Sequence, residues 1–115
     1  MSVPINEWEW FGNAGHFICS NRCRFHLCTK VGKYLVSTVG ELFVKENDLK
    51  ASIVALDALY ETMVFKAGKP CPCGCGLPSI KGNELGVAHY KSPGAATLGH
   101  LEACQEWSRL KENAK

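Results

Sequence analysis

Phe25-His26-Leu27-Cys28-Thr29-Lys30-Val31-Gly32-Lys33-Tyr34-Leu35-Val36-Ser37-Thr38-Val39 is the stretch on which the fold class turns. Val, Leu, Tyr and Thr favour extended backbone because branched and aromatic side chains pack well on a pleated surface. Val31-Gly32-Lys33 is the one break, so the stretch predicts two short strands joined by a turn. The second strand covers 34–39 and ends at Gly40. On the first, alternation sets Cys23, Phe25 and Leu27 on one side and Arg24, His26 and Cys28 on the other.

Moving outward, residues 48–59 predict a helix. Asn47 or Asp48 supplies a cap oxygen, and Leu49, Ile53, Leu56 and Tyr60 recur at helical spacing. Residues 60–66 alternate as a strand, broken by Ala67-Gly68-Lys69-Pro70. Residues 71–96 are dense in Gly and Pro and predict loop. A final helix is expected over 97–113, with Thr97 at its N-cap and Leu101, Cys104, Trp107 and Leu110 on one face. Near the other end, Trp8 and Trp10 alternate with Glu7 and Glu9, as in a half-buried strand or a surface-covering arm. The expectation is an α+β chain, residues 1–115 as a single domain, with a short antiparallel sheet and two helices.

Composition narrows the class. Of 115 residues, 46% are apolar and 21% charged, which suits a packed core and argues against disorder. The net charge of +2 makes a weak whole-chain case for nucleic acid. MSVPINEWEWFG lacks the basic and apolar regions of a signal peptide. No apolar run reaches the roughly 18 residues of a membrane span. Seven Cys cannot all pair with one another. These features together point to the reducing cytoplasm of a cell, where clustered Cys more often ligate metal than form disulfides.

The sharpest chemical signal is Cys71-Pro72-Cys73-Gly74-Cys75-Gly76, followed by His100 and Cys104. Glycines after Cys permit positive φ and let backbone amides approach the sulfurs. His100 and Cys104, four apart on an expected helix, project from one face. Two ligands from the loop and two from the helix complete a tetrahedral Zn²⁺ site. Five candidates compete for four positions: Cys71, Cys75, His100 and Cys104 are favoured, with Cys73 able to replace either loop partner. A zinc-binding segment 71–113 of this kind stabilises the fold. Two plainer readings stand beside it. Cys104 is a small core residue and His100 an exposed helix-start residue, or a loop Cys pairs with Cys104 in a disulfide.

A second cluster lies in a basic, aromatic segment at 10–40, where Arg22, Arg24, Lys30 and Lys33 occur with no acid between Glu9 and Glu41. His16 and Cys19, like Cys23 and His26, are separated by two residues, which suits a second metal. Pairing of the two strands offers Arg24, His26, Ser37 or Thr38 and Glu41 as a hydrolase or transferase site. Catalytic candidates are therefore His16, Arg24, His26 and Glu41, and a metal with an open position at His16, Cys23 or His26 favours that alternative. The same basic groups, with Trp10, Phe11, Phe17 and Phe25, offer phosphate and base contacts to nucleic acid. Packing and ordinary surface are the plain reading of all of these residues.

GHFICSNRCRFHLCTKVGKYLVSTVGEL at 15–42, YETMVFKAGKPCPCGCGLPSI at 60–80 and GHLEACQEWS at 99–108 resemble a group of small proteins encoded by tailed bacteriophages. The resemblance implies a protein acting in bacterial cytoplasm, and carries over no activity and no catalytic residues. The leading expectation is a small zinc-binding accessory protein, an interaction module for a host or phage protein or for nucleic acid. The alternative is a small metal- or His-dependent enzyme.

Overall fold

A computed structural model describes residues 3–11, 23–42, 59–74 and 76–110. They form five strands: β1 (Glu9–Phe11), β2 (Cys23–Val31), β3 (Tyr34–Leu42), β4 (Tyr60–Pro70) and β5 (Pro78–Tyr90). One α-helix follows, α1 (Pro93–Ser108), and a 3-10 turn at Ile5–Glu7 precedes β1. The strands are antiparallel and lie side by side in chain order, β1 to β5.

The turn read from Val31-Gly32-Lys33 is present, with Gly32 at φ 64°. It sets the register Val31↔Tyr34, Thr29↔Val36 and Leu27↔Thr38. β3 is the central strand, covered on both faces, which is why its sequence reads as a nearly continuous apolar run. On one face Val31, Tyr34, Val36 and Val64 pack with Trp8, Cys104 and Trp107 of the helix side. On the other, Cys28, Leu35 and Val39 pack with Leu77, Phe11 and Ile80. The chain start is tied beneath α1: the Val3 amide donates to the Ser108 carbonyl at 2.9 Å, and the Trp8 indole donates to the Val3 carbonyl at 3.0 Å.

The expected architecture needs three corrections. Among the described residues there is one α-helix rather than two, set against a five-stranded sheet. The helix expected over 48–59 lies outside those residues except for its last position. Second, most of the expected loop 71–96 is strand and helix. β5 runs through Gly86, which pairs with Val64, while Gly82, at φ 74°, and Gly68 sit at two irregularities where the β4–β5 register shifts. α1 starts four residues before Thr97: the Ser92 hydroxyl accepts from the Ala95 amide at 3.1 Å, and Pro93 opens the first turn. Third, the zinc-stabilised fold is not what the described residues show. No group of three or more His, Cys, Asp or Glu among them is arranged to hold a metal.

α1 approaches the sheet closely because its buried positions are small or polar: Ala96, Gly99, His100, Cys104 and Ser108. Gly99 is required there, since a Cβ would stand 2.1 Å from Cζ of Tyr90. Leu98 and Leu101 point outward, at 65% and 37% exposure. No helix among the described residues is long and apolar enough to cross a membrane.

Candidate functional site

The close approach of α1 buries a chain of polar side chains beneath it. Alternation along the strands sends Thr29, Thr38 and Thr62 to the helix face, where none exceeds 2% exposure. His100 descends from α1 between them. Its Nε2 is 2.9 Å from Oγ1 of Thr29, and its Nδ1 is 2.7 Å from Oγ1 of Thr38. Thr38 and Thr62 hydroxyls meet at 2.6 Å, and Thr62 in turn bonds the Tyr90 hydroxyl. At the far end, Thr29 also bonds the Cys104 thiol. The result is a continuous path Tyr90–Thr62–Thr38–His100–Thr29–Cys104.

Every member has a partner, as burial demands. Among the described residues no buried side-chain polar atom is left without one. Burial disfavours the imidazolium, so His100 is pushed down to about 4 and stays neutral near pH 7. The same desolvation pushes the Cys104 thiol up to about 12; Cys28, on the opposite face of the sheet, is raised to about 12 by burial and by Cys104. These two thiols are inert packing groups.

The polar path reaches the surface at Tyr90. A cleft of about 530 Å³ opens there between α1 and β5. Its lining includes Val64 and Ala88 from the strands, the aromatic Tyr90 and Trp107, and the exposed Glu102 and Glu106 of α1. No ion pair among the described residues holds either carboxylate. Tyr90 feels this field: burial first, then Glu102, raises its pKa above the usual tyrosine value. The volume falls in the range of small-ligand and side-chain sites.

The residues singled out in the sequence are dispersed. Cys71 and Cys73 lie together at the tip of the β4–β5 hairpin, with their sulfurs 3.2 Å apart. Gly74 and Gly76 take the positive φ that the knuckle reading requires, 83° and 86°. Cys75 lies outside the described residues. His100 and Cys104 are elsewhere. His100 reaches Thr62 through Thr38, and roughly 25–30 Å of strand, at about 3.3 Å per residue, separates Thr62 from Cys71. The loop thiols and the helix pair are thus two places, not one.

Of the second set, His16 and Cys19 lie outside the described residues. Cys23 and Arg24 are on β2. His26 opposes Val39, whereas Thr38 opposes Leu27, so His26 and Thr38 occupy opposite faces of the sheet. Glu41, at φ 58°, takes a hydrogen bond from the Tyr60 hydroxyl. A pair missed by the sequence reading occupies the His26 face: Glu61 and His89 join at 2.9 Å between β4 and β5. Sequence reasoning also missed Thr29, Thr62, Tyr90, Glu102 and Glu106. The available signal was the period-2 placement of Thr62 with Val64 and the four-residue spacing of the two Glu on α1.

Comparison with protein-family models, with curated proteins and with solved structures gave no match.

Proposed function

We propose that this protein is a small interaction module that holds a cationic side chain, lysine or arginine, of a partner protein in the cleft between α1 and β5. The observation that carries this reading is the lining of the cleft: apolar and aromatic side chains to receive a methylene stem, and two exposed carboxylates for the charged head. Long basic side chains bury their stems along apolar surface while keeping the charge near a polar edge. Tyr90 and Trp107 add the favourable face of an aromatic ring toward a cation. The carboxylates repel phosphate, so the cleft favours protein over nucleic acid.

Short peptides with a central arginine, lysine or norleucine test the reading by calorimetry and by amide chemical-shift mapping. The basic peptides are expected to bind and to perturb β5 and α1. Glu102→Gln with Glu106→Gln is expected to weaken them about tenfold, as for loss of two partly exposed ionic contacts. Equal binding of the norleucine peptide, or no perturbation around Tyr90 and Trp107, overturns the proposal.

A further inference from the structure

β5 is the last strand of the sheet and pairs with β4 alone. Which of its backbone groups face the other edge follows from the ladder on the far side of β4. There the Ala67 amide donates to the Lys33 carbonyl and the Glu41 amide to the Leu59 carbonyl, each at 2.9 Å. In an antiparallel ladder, hydrogen-bonded and non-hydrogen-bonded pairs alternate. The odd-numbered residues of β4 therefore direct their amides and carbonyls to β3, and Tyr60, Thr62 and Val64 direct theirs to β5. Their partners are Tyr90, Ala88 and Gly86. That leaves the amides and carbonyls of Leu85, Val87 and His89 pointing outward. Among the described residues none of these groups has a backbone partner.

The two halves of this edge differ. Lys81 and Gly82, at φ 74°, sit where the β4–β5 register shifts, and a charge and a bulge protect an edge from pairing. The half from Leu85 to His89 has no Lys, Pro or register shift, and Leu85 and Val87 are each 49% exposed. Four successive residues of that half, Leu85 to Ala88, line the cleft between α1 and β5, so the open edge and the cleft adjoin. A residue of an added strand that lies opposite Gly86 or Ala88 faces α1. Neither of those two has a side chain long enough to bar the way to Glu102 and Glu106.

We infer that the partner engages as an extended segment that adds to the outer edge of β5 as a sixth, antiparallel strand. Its basic side chain is carried by the residue opposite Gly86 or Ala88 and enters the cleft from there. The inference rests on the cation reading of the cleft and supplies the partner's conformation: main-chain hydrogen bonds to Leu85, Val87 and His89 give affinity, and the cleft gives selectivity. The occupant is a basic segment of another protein, by charge complementarity to Glu102 and Glu106. Pairing of two copies of this chain through 85–90 brings neither Lys nor Arg to the cleft, because that segment contains none.

The test uses the full chain, isotope-labelled, and a capped pentapeptide with a central arginine flanked by valines. In the free protein the amides of Leu85, Val87 and His89 are expected to exchange with solvent about tenfold faster than those of Gly86, Ala88 and Tyr90. Saturating peptide is expected to slow the first three about tenfold and leave the others unchanged. An N-methyl group on either valine, whose amide faces β5, is expected to weaken binding about tenfold, and one on the arginine, whose amide faces away, less than about twofold. Shifts at Tyr90 and Trp107 without new protection at Leu85, Val87 and His89 overturn strand addition and leave the cation reading standing. Equal weakening by all three N-methyl groups does the same. Absence of binding, or equal binding of a norleucine peptide, overturns both. Protection of the three amides that grows with the protein's own concentration replaces the peptide by a second copy and overturns the inference.

Discussion

The two ends of the cysteine inventory make opposite use of the same atom. Cys28 and Cys104 are 2% and 0% exposed and are held protonated well above neutral pH by burial. Cys71 and Cys73 stand on a hairpin tip with their sulfurs facing one another. The first pair is buried on the two faces of the sheet, Cys104 beneath α1 and Cys28 on the opposite face with Leu35 and Leu77. The second belongs to a turn whose conformation is set locally by Pro72 and the positive φ of Gly74 and Gly76. Location separates them: desolvation keeps the core thiols protonated, whereas Cys73 at the tip is exposed to solvent.

The strongest way to break this contrast is His100→Ala. It deletes a buried ring and leaves Thr29 and Thr38 without their shared partner, which costs about 3–4 kcal/mol of stability by chemical denaturation. Cys71→Ser and Cys73→Ser, at the tip, are expected to stay within about 0.5 kcal/mol of the parent. Comparable losses at both places refute the contrast.

Acid probes the same interface without mutation. The imidazole of His100 has an ordinary value of 6.5 and about 4 in the fold. Between those values the unfolded chain binds the extra proton and the folded chain does not. Stability is therefore full above about pH 6.5 and falls as pH drops to 4, by roughly 3 kcal/mol, and is flat with respect to this group below that. Denaturation midpoints measured from pH 7 to 4 check this, and the slope should flatten in His100→Gln. Alkali acts through the buried thiols with the opposite sign of pH. Their folded values near 12 exceed the ordinary 9.0, so their contribution is complete below pH 9 and is lost as pH rises toward 12. Stability that is constant between pH 9 and 11 contradicts this.

Within the buried path the smaller expected effect, and the sharpest, is Thr38→Val. It keeps the shape and removes the hydroxyl that joins His100 to Thr62, at about 1–2 kcal/mol. Its second readout is the cleft: the Tyr90 ring, still bonded to Thr62 but cut off from His100, should change its amide environment. An unchanged spectrum at Tyr90 separates the cleft from the buried path.

How far the sequence reached is clearest at particular residues. The β2–β3 hairpin and the strand character of 60–66 were legible, because branched residues and Gly32 act locally. The glycines of the Cys-rich turn were legible for the same reason. β5 was not: Gly86 argues for loop until Val64 of β4 is there to pair with, and Gly82 sits in an irregularity of that pairing. The final helix was legible in its inward face, since Cys104, Trp107 and Leu110 pack as their spacing implies. Its start was set four residues late and Leu101 faces water, because the first turns face inward through Ala96, Gly99 and His100. His100 was noticed for the right position and given a different partner. Its spacing to Cys104 suits a metal, but Thr29, Thr38 and Thr62 meet it only through sheet register, over separations that no local pattern records.

By itself, then, the amino-acid sequence determined the alternating strands at the centre of the chain, the turn at Gly32 and the conformation of the thiol-bearing turn. Backbone dihedral preference and side-chain branching act over a few residues and need no distant neighbour. The tertiary structure alone decided which thiols are inert and which are accessible. It also decided that His100 serves a hydroxyl network and that a cleft lined by Tyr90, Trp107, Glu102 and Glu106 exists. Desolvation, register and cavity shape are properties of segments brought together from far apart in the chain.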